Sequence, residues 1–260
     1  MISMAMLHDA QRVLKPVINR TPVIPTKGLV PGCAFYLKAD CLQKTGAFKL
    51  RGAYYKIATL SDEEKERGVI ACSAGNHAQG VAYAAKVAGV KATVVMPTTT
   101  PLMKVNRTKQ YGAEVILHGG VFDDAADYAM QLAQEQGLTY IPPLNDLDVA
   151  CGQGTIAYEI FQSLPDVDVI LVPIGGGGLA AGVSTLAKLL NPNVKVIGVE
   201  PTGAASMKAS VEAGHVVTLP TASTIADGVA VKPAFVHLKE RAAEYTLERA
   251  SELSGVPTDV

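Results

Sequence analysis

The sequence predicts an α/β fold built on parallel sheets. Three observations point there. From Val69 onward, short β-branched runs alternate with longer helical stretches. The 24 glycines and 15 prolines suit many tight strand–helix turns. Apolar residues make up 48% of the chain and charged residues 18%, a globular balance. Strand–helix alternation buries both faces of a sheet under helices, which only parallel pairing through crossovers allows. The 260 residues are enough for one large domain or two modest ones.

Val69–Cys72 reads as a strand, followed by a helix over Ala78–Ala88. Ala92–Met96 is the next strand, and Pro101–Tyr111 a helix opened by its proline. Glu114–Leu117 is a strand, and Phe122–Gln136 a helix stopped by Gly137. Thr139–Ile141 is a strand that ends at Pro142-Pro143, and Cys151–Ser163 is a helix. Val167–Ile174 is a continuous apolar strand, which predicts burial on both faces. Leu179–Leu190 is a helix ending at Asn191-Pro192, and Val194–Glu200 a strand. The charged stretch Ser61–Gly68 and the Pro142-Pro143 break are candidate boundaries of a compact unit. A cleft beside such a unit is the expected ligand site. After Pro233 the alternation stops, and 8 of the 27 residues from Ala234 to Val260 are charged. There Phe235, Leu238, Ala242 and Tyr245 fall on one helical face.

Composition excludes several function classes. With 23 basic against 24 acidic residues, the chain lacks the basic excess of a nucleic-acid binder. The longest uncharged run, Val169 to Ala187, contains Pro173 and Gly175 to Gly178, so it reads as strand, turn and helix and no membrane association is expected. Met1 to Lys15 shows no basic leader ahead of an apolar core, so a cytoplasmic location is expected. Cys33, Cys41, Cys72 and Cys151 show no metal-ligand spacing, and Cys72 and Cys151 read as small hydrophobes.

Three segments could carry chemistry. In Thr45 to Ala53, a helix is expected to start near Thr45 as its cap, with Lys49 in the first turn beside Phe48 and Leu50. The helix dipole and the loss of water both disfavour an ammonium there, which suits a Schiff-base lysine. The same residues also fit an ordinary snorkelling lysine on an amphipathic helix. In Ser73-Ala74-Gly75-Asn76-His77 a strand hands over to a helix, whose first N–H groups can hold a carboxylate. A plain β–α turn uses the same residue types. Gly175-Gly176-Gly177-Gly178-Leu179 lies between a buried strand and a helix, a phosphate-binding arrangement. Its Gly175-x-Gly177-x-x-Ala180 spacing, with Glu200 closing the next strand, also fits a dinucleotide site, which keeps a nicotinamide-dependent oxidoreductase open.

Together and in this order the segments resemble a known family. The carrying residues are Lys38-Ala39-Asp40, Gly46 to Ala53, Ser73 to Gly80, Tyr111-Gly112-Ala113, Gly152-Gln153-Gly154-Thr155, Gly175 to Leu179, and Thr224-Ile225-Ala226-Asp227-Gly228. They resemble the fold type II enzymes of pyridoxal 5′-phosphate, and within them the threonine dehydratase (threonine ammonia-lyase) and serine racemase group. The resemblance implies two open, twisted, mostly parallel sheets flanked by helices, as in the tryptophan synthase β chain. It implies a large cofactor-binding domain from 1–67 and 147–260 and a small substrate-gating domain from 68–146. It spans Arg20 to Lys232; the large domain would then be incomplete at the C-terminus, with 234–260 a divergent helical tail from truncation or fusion.

The family's roles fall on matching positions. Lys49 would be the catalytic Schiff-base lysine, with Phe48 flanking the cofactor ring and Asn76 bonded to its phenolic oxygen. Gly175, Gly176, Gly177, Gly178 and Leu179 would hold the cofactor phosphate, and Asn145 and Gly228 would line the pocket. Ser73, Ala74, Gly75, Asn76 and His77, with Asp227, would bind the substrate. The implied reaction is β-elimination from L-threonine or L-serine, releasing 2-oxobutyrate or pyruvate and ammonia. A racemase of this group carries a serine at the position of Ala74 as a second base, so a dehydratase is favoured over a racemase. Some members bind a divalent cation; the matching Glu200, Ala204 and Ser206 lack an acid at the third position, so no metal is expected. The resemblance also implies a homodimer. The departure at the C-terminus would remove the residue that partners the pyridine nitrogen, which keeps a cofactor-binding relic as the alternative.

Overall fold

The computed structural model describes residues 2–27, 31–224 and 226. Asp227, Gly228 and the expected tail 234–260 lie outside the described residues. The chain opens with α1 (Met4–Leu14), then the antiparallel pair β1 (Val23–Thr26) and β2 (Phe35–Lys38). α2 (Lys49–Thr59) and the short α3 (Asp62–Arg67) follow. Ser61 caps α3 reciprocally with Glu64, a capping box that makes a helix of the charged boundary stretch.

Next come β3 (Val69–Cys72), α4 (Asn76–Ala88), β4 (Ala92–Met96), α5 (Leu102–Gln110), β5 (Glu114–Leu117), α6 (Phe122–Gln136) and β6 (Thr139–Tyr140). The four strands form one parallel sheet in the order β5-β4-β3-β6. Its central strands are buried on both faces. Val69, Ala71, Val94 and Met96 pack in the cluster that holds Leu50, Ala53 and Ile57 of α2 and Ala78, Val81, Ala82 and Ala85 of α4. Ile70, Cys72 and Val95 alternate to the other face, against Ala125, Ala129, Leu132 and Ala133 of α6.

The last elements are α7 (Leu147–Ser163), β7 (Val169–Pro173), α8 (Gly178–Leu190), β8 (Lys195–Val199) and α9 (Ser206–Ala213). β7 and β8 pair in parallel. The chain divides into two compact units: residues 8–143 with 151–153, and residues 1–7, 144–150 and 154 onward.

Most expected elements stand within a few residues of their expected bounds, and three expectations need correction. The helix carrying Lys49 begins at Lys49 itself, not near Thr45. Gly46, in the left-handed region at φ 77°, breaks the chain before it, and the Thr45 hydroxyl turns to the Ala47 carbonyl instead of capping a helix. The helix expected to begin at Cys151 starts at Leu147, because Asp146 accepts the Val149 N–H and caps it. The apolar run 167–174 forms a strand buried on one face only among the described residues. Ile170 and Val172 are buried, while Val169 and Leu171 are 42% and 50% exposed. A continuous apolar run carries no period from which a single covered face could be read.

Candidate active site

Lys49 is the first residue of α2, and two glycines let other backbone approach it. Gly80 of α4 lies so close that a Cβ there would stand 3.1 Å from the Lys49 carbonyl carbon and 3.2 Å from the Leu50 nitrogen. A Cβ on Gly152 would stand 2.7 Å from the Arg51 oxygen and from Gly52 Cα. The Gln153 side-chain oxygen accepts the Gly52 N–H at 3.0 Å. Arg51, fully buried, holds Asp40 with two bonds, Nε at 2.8 Å and Nη2 at 2.9 Å. Asp40 also accepts the Thr21 hydroxyl at 2.6 Å. A planar fork on a carboxylate fixes orientation as well as distance, so the start of α2 is held in position.

The Lys49 amine donates to the Pro143 carbonyl at 2.6 Å and stands 5.5 Å from the centre of the Phe48 ring. Burial pushes it down to about 8 from 10.5. A free amine, the nucleophilic form, is therefore populated near neutral pH.

The segment Ser73–His77 turns from β3 into α4. The Ser73 hydroxyl accepts the Gly75 N–H at 3.2 Å, Gly75 is the N-cap, and Asn76 is the exposed first residue of the helix. The unpaired N–H groups of this first turn suit an anion. His77 is buried; its Nε2 lies 2.9 Å from the Ile141 carbonyl, and its Nδ1 has no partner among the described residues. Burial first, and then the charge of Lys49, push His77 down to about 3.

The other unit carries the glycine loop. It follows β7 and enters α8, with Gly177 as N-cap at φ 92° and Gly178 as the first helical residue. A Cβ on Gly176 would collide with the Leu144 side chain, and one on Gly178 would touch Leu144 at 3.4 Å. Bare backbone with the free N–H groups of a thirteen-residue helix makes a cradle for phosphate. Asn145, exposed next to Leu144, has φ 64°, the left-handed region that asparagine tolerates best after glycine.

Glu200, the acid that a dinucleotide site or a cation would use, is occupied otherwise. Its two carboxylate oxygens accept the N–H groups of Met207 and Lys208, each at 2.8 Å, at the start of α9. Cys72 and Cys151 are buried thiols, as expected of small hydrophobes, and burial raises Cys72 to about 11. No helix is long and apolar enough to cross a membrane among the described residues.

The sequence singled out Lys49, Ser73–His77 and Gly175–Gly178, and the structure sets each at a helix start. The sequence missed the Pro143 carbonyl, the Asp40–Arg51 fork and the close approach of Gly80. Asp40, Arg51 and Gly80 all lie inside motifs the sequence displays, but only the fold pairs them.

Known proteins resemble this chain in sequence and in fold. A family described as pyridoxal-phosphate dependent enzyme matches residues 14–258, so its match includes the stretch after Pro233 that was expected to be foreign to it. Over 234 residues the chain is 50% identical to L-threonine ammonia-lyase of Thermotoga maritima, covering 89% of this chain and 58% of that enzyme. The processed form of threonine deaminase isoform 2 from Solanum lycopersicum superposes with a TM-score of 0.86 at 44% identity, covering 91% of this chain and 67% of that one. Maize serine racemase gives a TM-score of 0.84 at 38% identity, over 87% and 70% of the two chains.

Proposed function

The chain belongs to the family of pyridoxal-phosphate dependent enzymes, and on that premise we propose that it deaminates L-threonine or L-serine by β-elimination: the β-hydroxyl leaves as water, and water taken up again hydrolyses the resulting imine to the 2-oxo acid and ammonia. The observation that carries the reading is the half-buried Lys49, whose amine is lowered to about 8 by loss of water and donates to the Pro143 carbonyl. The residues fit the cofactor: an amine poised to lose its proton is present, and the glycine loop that enters α8 has no room for a Cβ at Gly176.

In this reading Gly175 to Gly178 and the Leu179 N–H hold the cofactor phosphate, Phe48 flanks its ring, and Asn76, Asn145 and Gly228 complete its surroundings. When bound, the cofactor supplies an electron sink for the pair left on the substrate α-carbon. Lys49 takes the α-proton at Nζ, which its lowered affinity for protons permits near neutral pH. Ser73, Ala74, Gly75, Asn76 and His77 grip the substrate carboxylate through the N–H groups at the start of α4, and the family's pattern gives Asp227 a part in substrate binding. Residues 68–146 gate the substrate as a small domain, and 1–67 with 147–260 form the large one. The enzyme works as a cytoplasmic homodimer.

A second reading, serine racemase, draws on the maize structure. Ala74 opposes it, because a methyl group cannot return a proton to the opposite face. The dinucleotide reading loses its acid, since both Glu200 oxygens cap α9.

The test is the visible spectrum of the chain with pyridoxal phosphate, followed by 2-oxo acid released from L-threonine and from L-serine. A band that Lys49→Ala abolishes, with 2-oxo acid formed, is expected. A band without 2-oxo acid would mean a cofactor-binding relic, and no band in a folded protein would sink the reading.

A further inference from the structure

Pro142 and Pro143 have no backbone N–H, so this stretch can be held only through carbonyls and packing. It follows directly from the edge strand β6, whose ladder ends where the Ile141 N–H donates to Ile70 at 2.8 Å. Two side chains donate to its carbonyls. Lys49 of α2 reaches Pro143, and His77 of α4 meets Ile141 at 2.9 Å. A carbonyl only accepts, so the His77 proton sits on Nε2. That leaves Nδ1 as a bare acceptor, a lesser cost than a buried donor without a partner.

The two anchors differ in permanence. On the reading above, on which this inference rests, Lys49 leaves Pro143 whenever its amine is engaged in chemistry. His77 has no such second task for its side chain. We infer that His77 is a positioning residue: its neutral imidazole ties the start of α4 to Ile141 and keeps the diproline strap in place while Lys49 moves on and off Pro143. The strap in turn keeps water from the Lys49 amine. A residue with a donor at the same reach can replace the imidazole, and an apolar residue of similar size cannot.

The experiment measures the reactivity of Lys49 in the full chain without added cofactor. Competitive acylation against pH, read by peptide mass spectrometry, gives the midpoint at which Lys49 loses its proton. Wild type and His77→Gln, whose amide donates from about the place of Nε2, are expected to share a midpoint. His77→Leu is expected to rise by about one pH unit or more toward the ordinary lysine value, because water reaches the amine. An unshifted His77→Leu, or a His77→Gln that shifts as far, overturns the inference. Should His77→Leu fail to fold, nitrogen NMR of the wild-type imidazole decides. An Nε2–H tautomer that stays neutral below pH 5 supports the tie, and an Nδ1–H tautomer or a titration near 6.5 overturns it. A chain with no lysine-dependent visible band would defeat the cofactor reading alone and leave the acylation result to judge His77.

Discussion

Three side chains show what single residues contribute. His77 stays neutral in the fold down to about pH 3, while in the unfolded chain it takes a proton near 6.5. Between those values the unfolded state binds more protons, so the fold loses stability as pH falls through that window, by about 1.4 kcal/mol per pH unit from this group. Denaturant melts at pH 7, 6 and 5 check this; in His77→Gln the added acid sensitivity is expected to shrink. Lys49 acts in the alkaline window. Its folded value of about 8 against 10.5 unfolded means its share of stability rises from pH 8 to 10.5. Arg51 is the other case. Arg51→Ala strands a carboxylate that is only 12% exposed, and a loss of about 3–5 kcal/mol is expected in urea melts. Arg51→Lys, lacking the planar fork, is expected to recover little of it.

At the scale of elements, glycines at crossings decide where the reactive lysine sits. α4 approaches α2 across Gly80, so Gly80→Ala must move the Lys49 backbone by a few tenths of an ångström. The expected outcome is a fall in kcat of about tenfold or more with modest change in Tm, measured by 2-oxo acid release beside a thermal melt. Gly152→Ala meets main chain at 2.7 Å and has no flexible atom to displace. It is expected to destabilise the fold by about 1–3 kcal/mol. The starts of α5 after Pro101 and of α8 in the glycine loop lie within one residue of expectation, while that of α7, marked only by a capping side chain, lies four residues away. Asp146 as the cap of α7 escaped notice, since an aspartate after an asparagine reads equally as a turn.

At the scale of the whole molecule, binding should report on the entire fold. Pyridoxal phosphate at one hundred times its Kd is expected to add about 2.7 kcal/mol of stability, with a matching rise in Tm that Lys49→Ala reduces. The chain spans 58% of the length of the Thermotoga relative, so its own turnover is a matter for that experiment and the oxo-acid assay together. The sequence by itself determined the fold class, the strand–helix order from Val69 to Glu200 and the three motifs, because period, Gly/Pro punctuation and local spacing are properties of neighbours along the chain. Tertiary structure alone decided that Pro143 receives the Lys49 amine across 94 residues, that Arg51 forks onto Asp40, that Glu200 caps α9, and which face of β7 is covered. Those are meetings between distant segments, and no local pattern encodes which distant partner a buried polar group will find.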